Sequence, residues 1–235
     1  MNMSCSKILL ALTVSFLLTS PMQAHSARSE TPLSNIQSYQ DSVVTVKAQQ
    51  VSLDGHRATV VEKSGAGVII DASGLIITNT HIIYGANIIK IVFKDGTSLN
   101  ARVPFISREY DFSILSIDPP SQLKPIEWAD SDKVELGQPV ITIGHSPLLD
   151  QTISGGQVNG LGTRTQEDGS VTPEMIKISI NHYPGDSGGP VFDTAGKLIG
   201  LMNAKQTNRQ RAALAVPANK IHLEYLKLVN PSETR

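Results

Sequence analysis

Gly185-Asp186-Ser187-Gly188-Gly189-Pro190 is the stretch from which the rest of this chain can be read. Its glycines permit a tight, sterically open loop that presents a hydroxyl and aims backbone N–H groups at one point. A serine hydroxyl is a poor nucleophile at its own pKa. A catalytic Ser187 therefore needs a neighbouring base and a third group that fixes the base's tautomer. Upstream, His81 closes the run Leu75-Ile76-Ile77-Thr78-Asn79-Thr80-His81, just past an apolar strand. Asp111 lies at the start of another, Tyr110-Asp111-Phe112-Ser113-Ile114-Leu115. Strand ends hold side chains rigidly, so Ser187 is read as nucleophile, His81 as general base and Asp111 as the group that orients it. Taken singly, such a loop can be an ordinary turn and such a histidine a packed structural residue. The three together, in this order and at strand ends, point to nucleophilic catalysis.

Outward from that loop the chain is built of short β-branched runs. Residues 43–46, 58–61, 67–70, 75–78, 88–93 and 112–117 form a first set of predicted strands, separated by turn signals such as Asp95-Gly96. Residues 140–143, 151–158, 175–180, 190–192, 198–202 and 212–216 form a second set. Between the sets β-periodicity fades and Pro119, Pro120, Pro125 and Pro139 accumulate, as in a connector. The end differs: Pro217-Ala218-Asn219 leads into Ile221, Tyr225, Leu226 and Leu228 at helical spacing. Two sets of about six strands fit two packed β-barrels or one large sandwich, and the pattern alone leaves both open.

With 235 residues and 40% apolar side chains the chain can bury a substantial core. A formal charge of -1 supplies no basic face, so no nucleic-acid partner is expected. No metal-ligand spacing of the His-Glu-x-x-His kind occurs, and neither a metal nor another cofactor is expected. Lys7, the apolar run 8–18 and the small residues around Ala24 and Ala27 form a signal-peptide pattern, with an uncleaved anchor as its alternative. Cleavage would remove Cys5 and one Lys, leaving about -2, no disulfide and no integral membrane segment. The expected destination is the bacterial periplasm or the cell exterior. Residues 1–26 are thus assigned to the signal and 27–41 to a lead-in. A first barrel (42–121, with His81 and Asp111), a connector (122–137), a second barrel (138–217, with Ser187) and a terminal helix and tail (218–235) follow.

The order His, Asp, Ser is the one used by chymotrypsin-like proteases. Gly65-Ala66-Gly67-Val68-Ile69-Ile70-Asp71, Gly74 and Thr78-Asn79-Thr80-His81 resemble the region around the catalytic histidine of HtrA-like serine endopeptidases, a branch of that superfamily. Asp130-Ser131-Asp132-Lys133, Thr152-Ile153-Ser154-Gly155-Gly156-Gln157-Val158, Gly196-Lys197-Leu198-Ile199-Gly200 and Ala215-Val216-Pro217 extend the likeness over roughly residues 43–229. The resemblance implies an all-β fold of two six-stranded antiparallel barrels with a C-terminal helix, polypeptide substrates, and an oxyanion hole made by the N–H groups of Gly185 and Ser187. It also implies a primary pocket walled by residues 181–184 and 202–205, which include Asn181, His182, Met202, Asn203, Ala204 and Lys205. Asn181 stands where trypsin-like enzymes place a carboxylate, so cleavage after Lys or Arg lacks its usual counter-charge. Met202 and Ala204 favour a small or medium apolar side chain, whereas His182 and Lys205 leave an acidic one open.

The chain departs from the HtrA pattern in three ways. Asp186 replaces the usual Asn; in the trypsin branch this Asp pairs with a new ammonium terminus, and no activation sequence precedes Val43. Asp186 is therefore expected to find another partner, such as a basic side chain with Arg164 as candidate, or to stay partly solvated. No PDZ-like module is expected, so peptide-triggered cage behaviour is not. Residues 166–172 are polar where activation-sensitive loops would lie. Two other functions stay open beside the endopeptidase: a non-catalytic, chaperone-like or binding protein with the same fold, and a hydrolase of non-protein esters or amides. The oligomeric state is not readable from the sequence.

Overall fold

Val44, Val46 and Ala48 alternate with Val43 and Thr45 along the first strand, β1 (Val43–Asp54), and all five are buried. A strand that buries both faces has a core on each side, and this alternation organises the molecule. Residues 39–55, 57–145, 151–165, 168–203 and 212–231 are described by the computed structural model. The signal segment expected at 1–26 and nearly all of the lead-in lie outside the described residues.

β1 pairs with β2 (Arg57–Ile69) along its whole length, from Val43↔Val68 to Asp54↔Arg57. This is one long hairpin where periodicity predicts separate short strands. β4 (Ile88–Val92) accompanies β1 only as far as Gln49. Beyond that point no strand among the described residues flanks the ribbon, and Leu53 and Val60 are exposed. β3 (Leu75–Thr78), β5 (Ser98–Asn100), β6 (Arg102–Ile106) and β7 (Ser113–Ser116) complete the first sheet in the order β5-β4-β1-β2-β3-β7-β6. Seven strands stand where six are expected. The extra one arises because Ala101 divides β5 from β6, and its N–H bonds the Ile89 carbonyl at 2.9 Å. The two edge strands are thus consecutive parts of one bent run.

In the second sheet, β9 (Pro139–Gly144), β10 (Thr152–Thr165), β11 (Val171–Ser179), β12 (Pro190–Phe192), β13 (Lys197–Asn203) and β14 (Ala213–Pro217) form a closed ring, sealed by the β12–β13 pairing. The proline-rich connector contributes a short strand, β8 (Glu127–Trp128), parallel to β13 through Lys197 and Leu198. The fold is all-β and chymotrypsin-like, with one terminal helix.

Three apolar clusters follow from this layout. Val44, Val46, Ile69, Ile76, Ile91 and Leu115 fill the first barrel. Val140, Ile176, Ile178, Val191, Ile199 and Met202 fill the second. The third joins Val43, Ala66, Val68 and Phe112 of the first to Ile143, Phe192, Leu201 and Val216 of the second, so the seam between the barrels is itself a core. Helix α2 (Ala218–Val229) straps across it. Ile221 is fully buried, Asn219 bonds both Ser131 and Asp130, and the Tyr225 hydroxyl donates to Asp71 Oδ2 at 2.7 Å. The ring of His222 stacks on Trp128, with centroids 4.6 Å apart.

Candidate active site

β3 ends at Thr78, and Asn79 turns the chain into a single helical turn, α1 (Thr80–Ile83), that carries His81 at the seam. Thr78 and Asn79 are fully buried, so the approach to His81 is anchored in the core. Asp111 precedes β7, whose residues pair with β3 from Leu75↔Ser116 to Thr78↔Ser113, so it stands beside α1. Its carboxylate holds the histidine twice. Oδ1 accepts the His81 backbone N–H at 2.9 Å, and Oδ2 lies 2.6 Å from His81 Nδ1. A carboxylate can only accept, so this contact places a proton on Nδ1, and in the neutral ring the lone pair is on Nε2. The His81 side chain is 20% exposed and that of Asp111 8%, a partly desolvated pair with one open edge.

Further groups hold the pair in place. Asn79 Nδ2 donates to the Asp111 carbonyl at 2.8 Å, and Thr80 Oγ1 and Ser113 Oγ share a bond of 2.8 Å. Lys63 Nζ donates to the carbonyls of His81 and Tyr84, at 3.4 and 3.3 Å, at the end of α1. From the other barrel, Asn203 Nδ2 donates to Asp111 Oδ2 at 3.2 Å.

The Ser187 loop is bonded to both barrels. The Ser187 carbonyl accepts the Ala66 N–H of β2 at 2.8 Å. Gly188 N–H donates to the Met202 carbonyl at 2.9 Å, and Met202 N–H donates to that of Gly189 at 2.8 Å. Gly188 has φ +81°, and a Cβ there would overlap the Ala66 carbonyl and stand 2.7 Å from Thr78 Oγ1, so a side chain is excluded twice. A Cβ at Gly65 would overlap Ile82, the neighbour of His81, and lie 2.9 Å from the Ser187 carbonyl oxygen. Residues 82 and 187 therefore approach the same glycine from opposite barrels. No hydrogen bond joins the Ser187 hydroxyl to His81 among the described residues; in the absence of substrate such bonds are often long.

The loop before the nucleophile is a turn. Asp186 N–H donates to the Tyr183 carbonyl at 3.0 Å across Pro184 and Gly185, whose φ is +104°. That bond and that φ are those of a type II turn with Pro and Gly in its two central positions. His145 N–H donates to the Gly185 carbonyl at 3.2 Å. Asp186 is only 2% exposed and its described partners are neutral: Thr152 Oγ1 at 2.9 Å and the Tyr183 N–H at 2.6 Å. The partial solvation left open by the sequence is not found, and among the described residues no basic side chain meets the carboxylate, which two neutral donors satisfy inside the barrel. The side chain of Arg164 lies outside the described residues.

The residues expected to wall the primary pocket divide. Asn181 is exposed and lines a cleft with Tyr183, Thr152 and Ser154. His182 is half-buried, and its Nδ1 has no hydrogen-bond partner among the described residues. Met202 is fully buried in the second barrel's core, and Asn203, 2% exposed, turns toward Asp111. Ala204 and Lys205 lie outside the described residues. The sequence reading missed the parts played by Asn79, Lys63 and Thr152. For Asn79 alone there was a signal, an amide next to the histidine turn in an otherwise apolar strand.

Residues 65–201 match the trypsin-like peptidase domain, more than half of the chain and all three of His81, Asp111 and Ser187. The chain belongs to the trypsin-like peptidase domain family. Within that family it is similar to a probable periplasmic serine protease do/HhoA-like of Haemophilus influenzae, 34% identical over 160 residues that cover 66% of this chain and 34% of the relative. It is 34% identical over 169 residues to the chloroplastic protease Do-like 1 of Arabidopsis thaliana, covering 69% of this chain and 38% of that one. The periplasmic serine endoprotease DegP of Escherichia coli is 33% identical over 141 residues, 60% of this chain and 30% of DegP. The chain thus spans about a third of the length of these relatives. Among solved structures it resembles the HtrA-type protease AlgW with decapeptide, with a TM-score of 0.72 and 24% identity over 84% of this chain and 67% of AlgW, a likeness of fold.

Proposed function

We propose that the chain is an exported serine endopeptidase that hydrolyses exposed or unfolded polypeptides through Ser187, His81 and Asp111. The observation that carries this reading is the double hold of Asp111 on His81 in the same seam to which the Ser187 loop is bonded. In this mechanism Ser187 Oγ attacks the scissile carbonyl and His81 Nε2 takes its proton, while Asp111 stabilises the imidazolium. The Gly185 and Ser187 N–H groups donate to the developing oxyanion, and His81 then returns the proton to the leaving amine. Water hydrolyses the acyl-enzyme by the same route. The Pro184-Gly185 turn supports the oxyanion role, because its glycine φ sets the direction of the Gly185 N–H. The uncharged Asn181 speaks against Lys or Arg before the scissile bond, and the preference for a small or medium apolar residue is what the resemblance implies through Met202 and Ala204. Export is supported by the N-terminal pattern and by the periplasmic relatives.

A second reading, a binding or chaperone-like protein of this fold, is compatible with the lack of a bond between the Ser187 hydroxyl and His81 among the described residues. A single experiment separates them. The purified protein and its Ser187→Ala variant are incubated with a fluorophosphonate probe and with unfolded casein. Labelling that depends on Ser187, with casein cleavage, is the expected result. Labelling without cleavage would indicate an esterase or amidase, and a folded protein that never labels would indicate the binding role.

A further inference from the structure

The buried carboxylate of Asp186 lies next to the nucleophile but takes no part in the proposed chemistry. A buried charge without partners is strongly destabilising, so what satisfies it bears on why it is there. Its two oxygens are spent on different elements. Oδ2 accepts the N–H of Tyr183, the first residue of the turn whose last residue is Asp186, so the two ends of the turn are tied through side chain as well as backbone. Oδ1 accepts the hydroxyl of Thr152, the first residue of β10, which pairs with Gly144 of β9. The fit is close: a Cβ on Gly144 would overlap Asp186 Oδ1.

The turn has two alternatives. Types I and II differ by a flip of the central peptide, here the one that carries the Gly185 N–H. In one orientation that N–H faces the oxyanion position, and in the other it faces away. Pro184 and Gly185 suit type II, but a surface turn held only by its own 3.0 Å bond can exchange between the two forms. Fixing Asp186 to the barrel removes that freedom, because the carboxylate grips the start of the turn while Thr152 grips the carboxylate.

We propose that Thr152 is a positioning residue for the reaction: through Asp186 it locks the Tyr183–Asp186 turn with the Gly185 N–H aimed at the oxyanion, so the hole stands assembled without a newly cut N-terminus. This rests on the proposed peptidase reading. Thr152 touches neither substrate nor reacting atoms in this role. Its effect is on the population of protein whose second oxyanion donor is in place, and hence on turnover rather than on substrate binding.

The test compares fluorophosphonate labelling rates, and kcat and KM on a peptide anilide, for the wild type, Thr152→Val, Thr152→Ser and Gly144→Ala. Loss of an oxyanion donor slows turnover roughly 100- to 1,000-fold, so a partly populated flip in Thr152→Val should cost about 10- to 100-fold in kcat and in labelling. KM should stay within about twofold, and Thr152→Ser, which keeps the hydroxyl, should recover most of the rate. Gly144→Ala should lower kcat in the same way by displacing the carboxylate, and serves if Thr152→Val does not melt cooperatively. A folded Thr152→Val or Gly144→Ala with wild-type kcat, a loss confined to KM, or a Thr152→Ser as slow as Thr152→Val would each overturn the proposal. A wild type that fails to label at Ser187 would instead overturn the peptidase reading.

Discussion

Asn203, the last residue of β13 in the second barrel, donates its amide to Asp111 of the first barrel at 3.2 Å. The carboxylate that holds His81 is thus itself held from across the seam. A hydrogen bond to a charged group is worth about 1.5–3 kcal/mol, and part of that should appear in the barrier. Asn203→Ala is expected to lower kcat roughly tenfold with little change in KM, and steady-state kinetics on a peptide anilide would check it. A rise in KM alone would return Asn203 to the pocket wall that the sequence suggested.

Asp111→Asn keeps the shape of the pair but changes its hydrogen-bond logic. The amide can donate toward Nδ1, which would then carry the lone pair and leave the proton on Nε2. Activity should fall on the order of ten thousandfold while the fold survives. Turnover assays and a thermal melt would separate loss of function from loss of structure.

Tyr225 ties the terminal helix to the first barrel through Asp71. Burial, and then the neighbouring Asp71, push the Tyr225 phenol up to about 12. A raised phenol stabilises the fold below the unfolded value of 10.0 and loses that contribution as pH climbs to about 12. Asp71 is held below 3.8 by the Ser73 hydroxyl first and Tyr225 second, so its contribution is present above that pH and lost under acid. Tyr225→Phe should cost about 1 kcal/mol at pH 7, or about 2–4 °C in Tm, and should remove the stability loss between pH 10 and 12. Melting curves across pH would show both.

His222, packed on Trp128, is desolvated, which holds its imidazole below the usual 6.5. The unfolded chain therefore binds the proton more readily than the folded one, and stability falls as pH drops through 6.5. His222→Gln should flatten the dependence of Tm on pH between about 7 and 5, measured against wild type in the same buffers. An unchanged slope would assign the dependence to another group.

Local sequence carried much of the fold. The runs at 43–46 and 75–78, and that at 88–93 except Phe93, lie in strands and are rich in β-branched residues because each backs a core. The full length of the β1–β2 hairpin was not legible, because its far end is exposed at Val51, Leu53, Val60 and Val61 and only the run at 58–61 reads as a strand. β8 was hidden for a related reason: two residues paired through the backbone leave no side-chain signature among prolines. The β5–β6 run was missed because it is short, carries Pro104 and is interrupted at Ala101.

At the site, residue identity was legible and residue assignment was not. His81, Asp111 and Ser187 could be singled out because the chemistry of an activated hydroxyl demands those types next to rigid strand ends. The turn at Pro184 and Gly185 was likewise written locally, in a fixed φ followed by a free one. Asn203, by contrast, reads as a pocket wall from its position in the chain. Only the packing of β13 against the first barrel directs its amide to Asp111.

Sequence alone therefore determined the all-β character, the terminal helix and the types of group available for catalysis, since these depend on side-chain period and intrinsic chemistry along a few residues. The tertiary structure alone decided the partners. Thr152 meets Asp186 across 34 residues, and Asn203 meets Asp111 across 92. Such contacts arise from strand register and barrel closure, which no local stretch encodes.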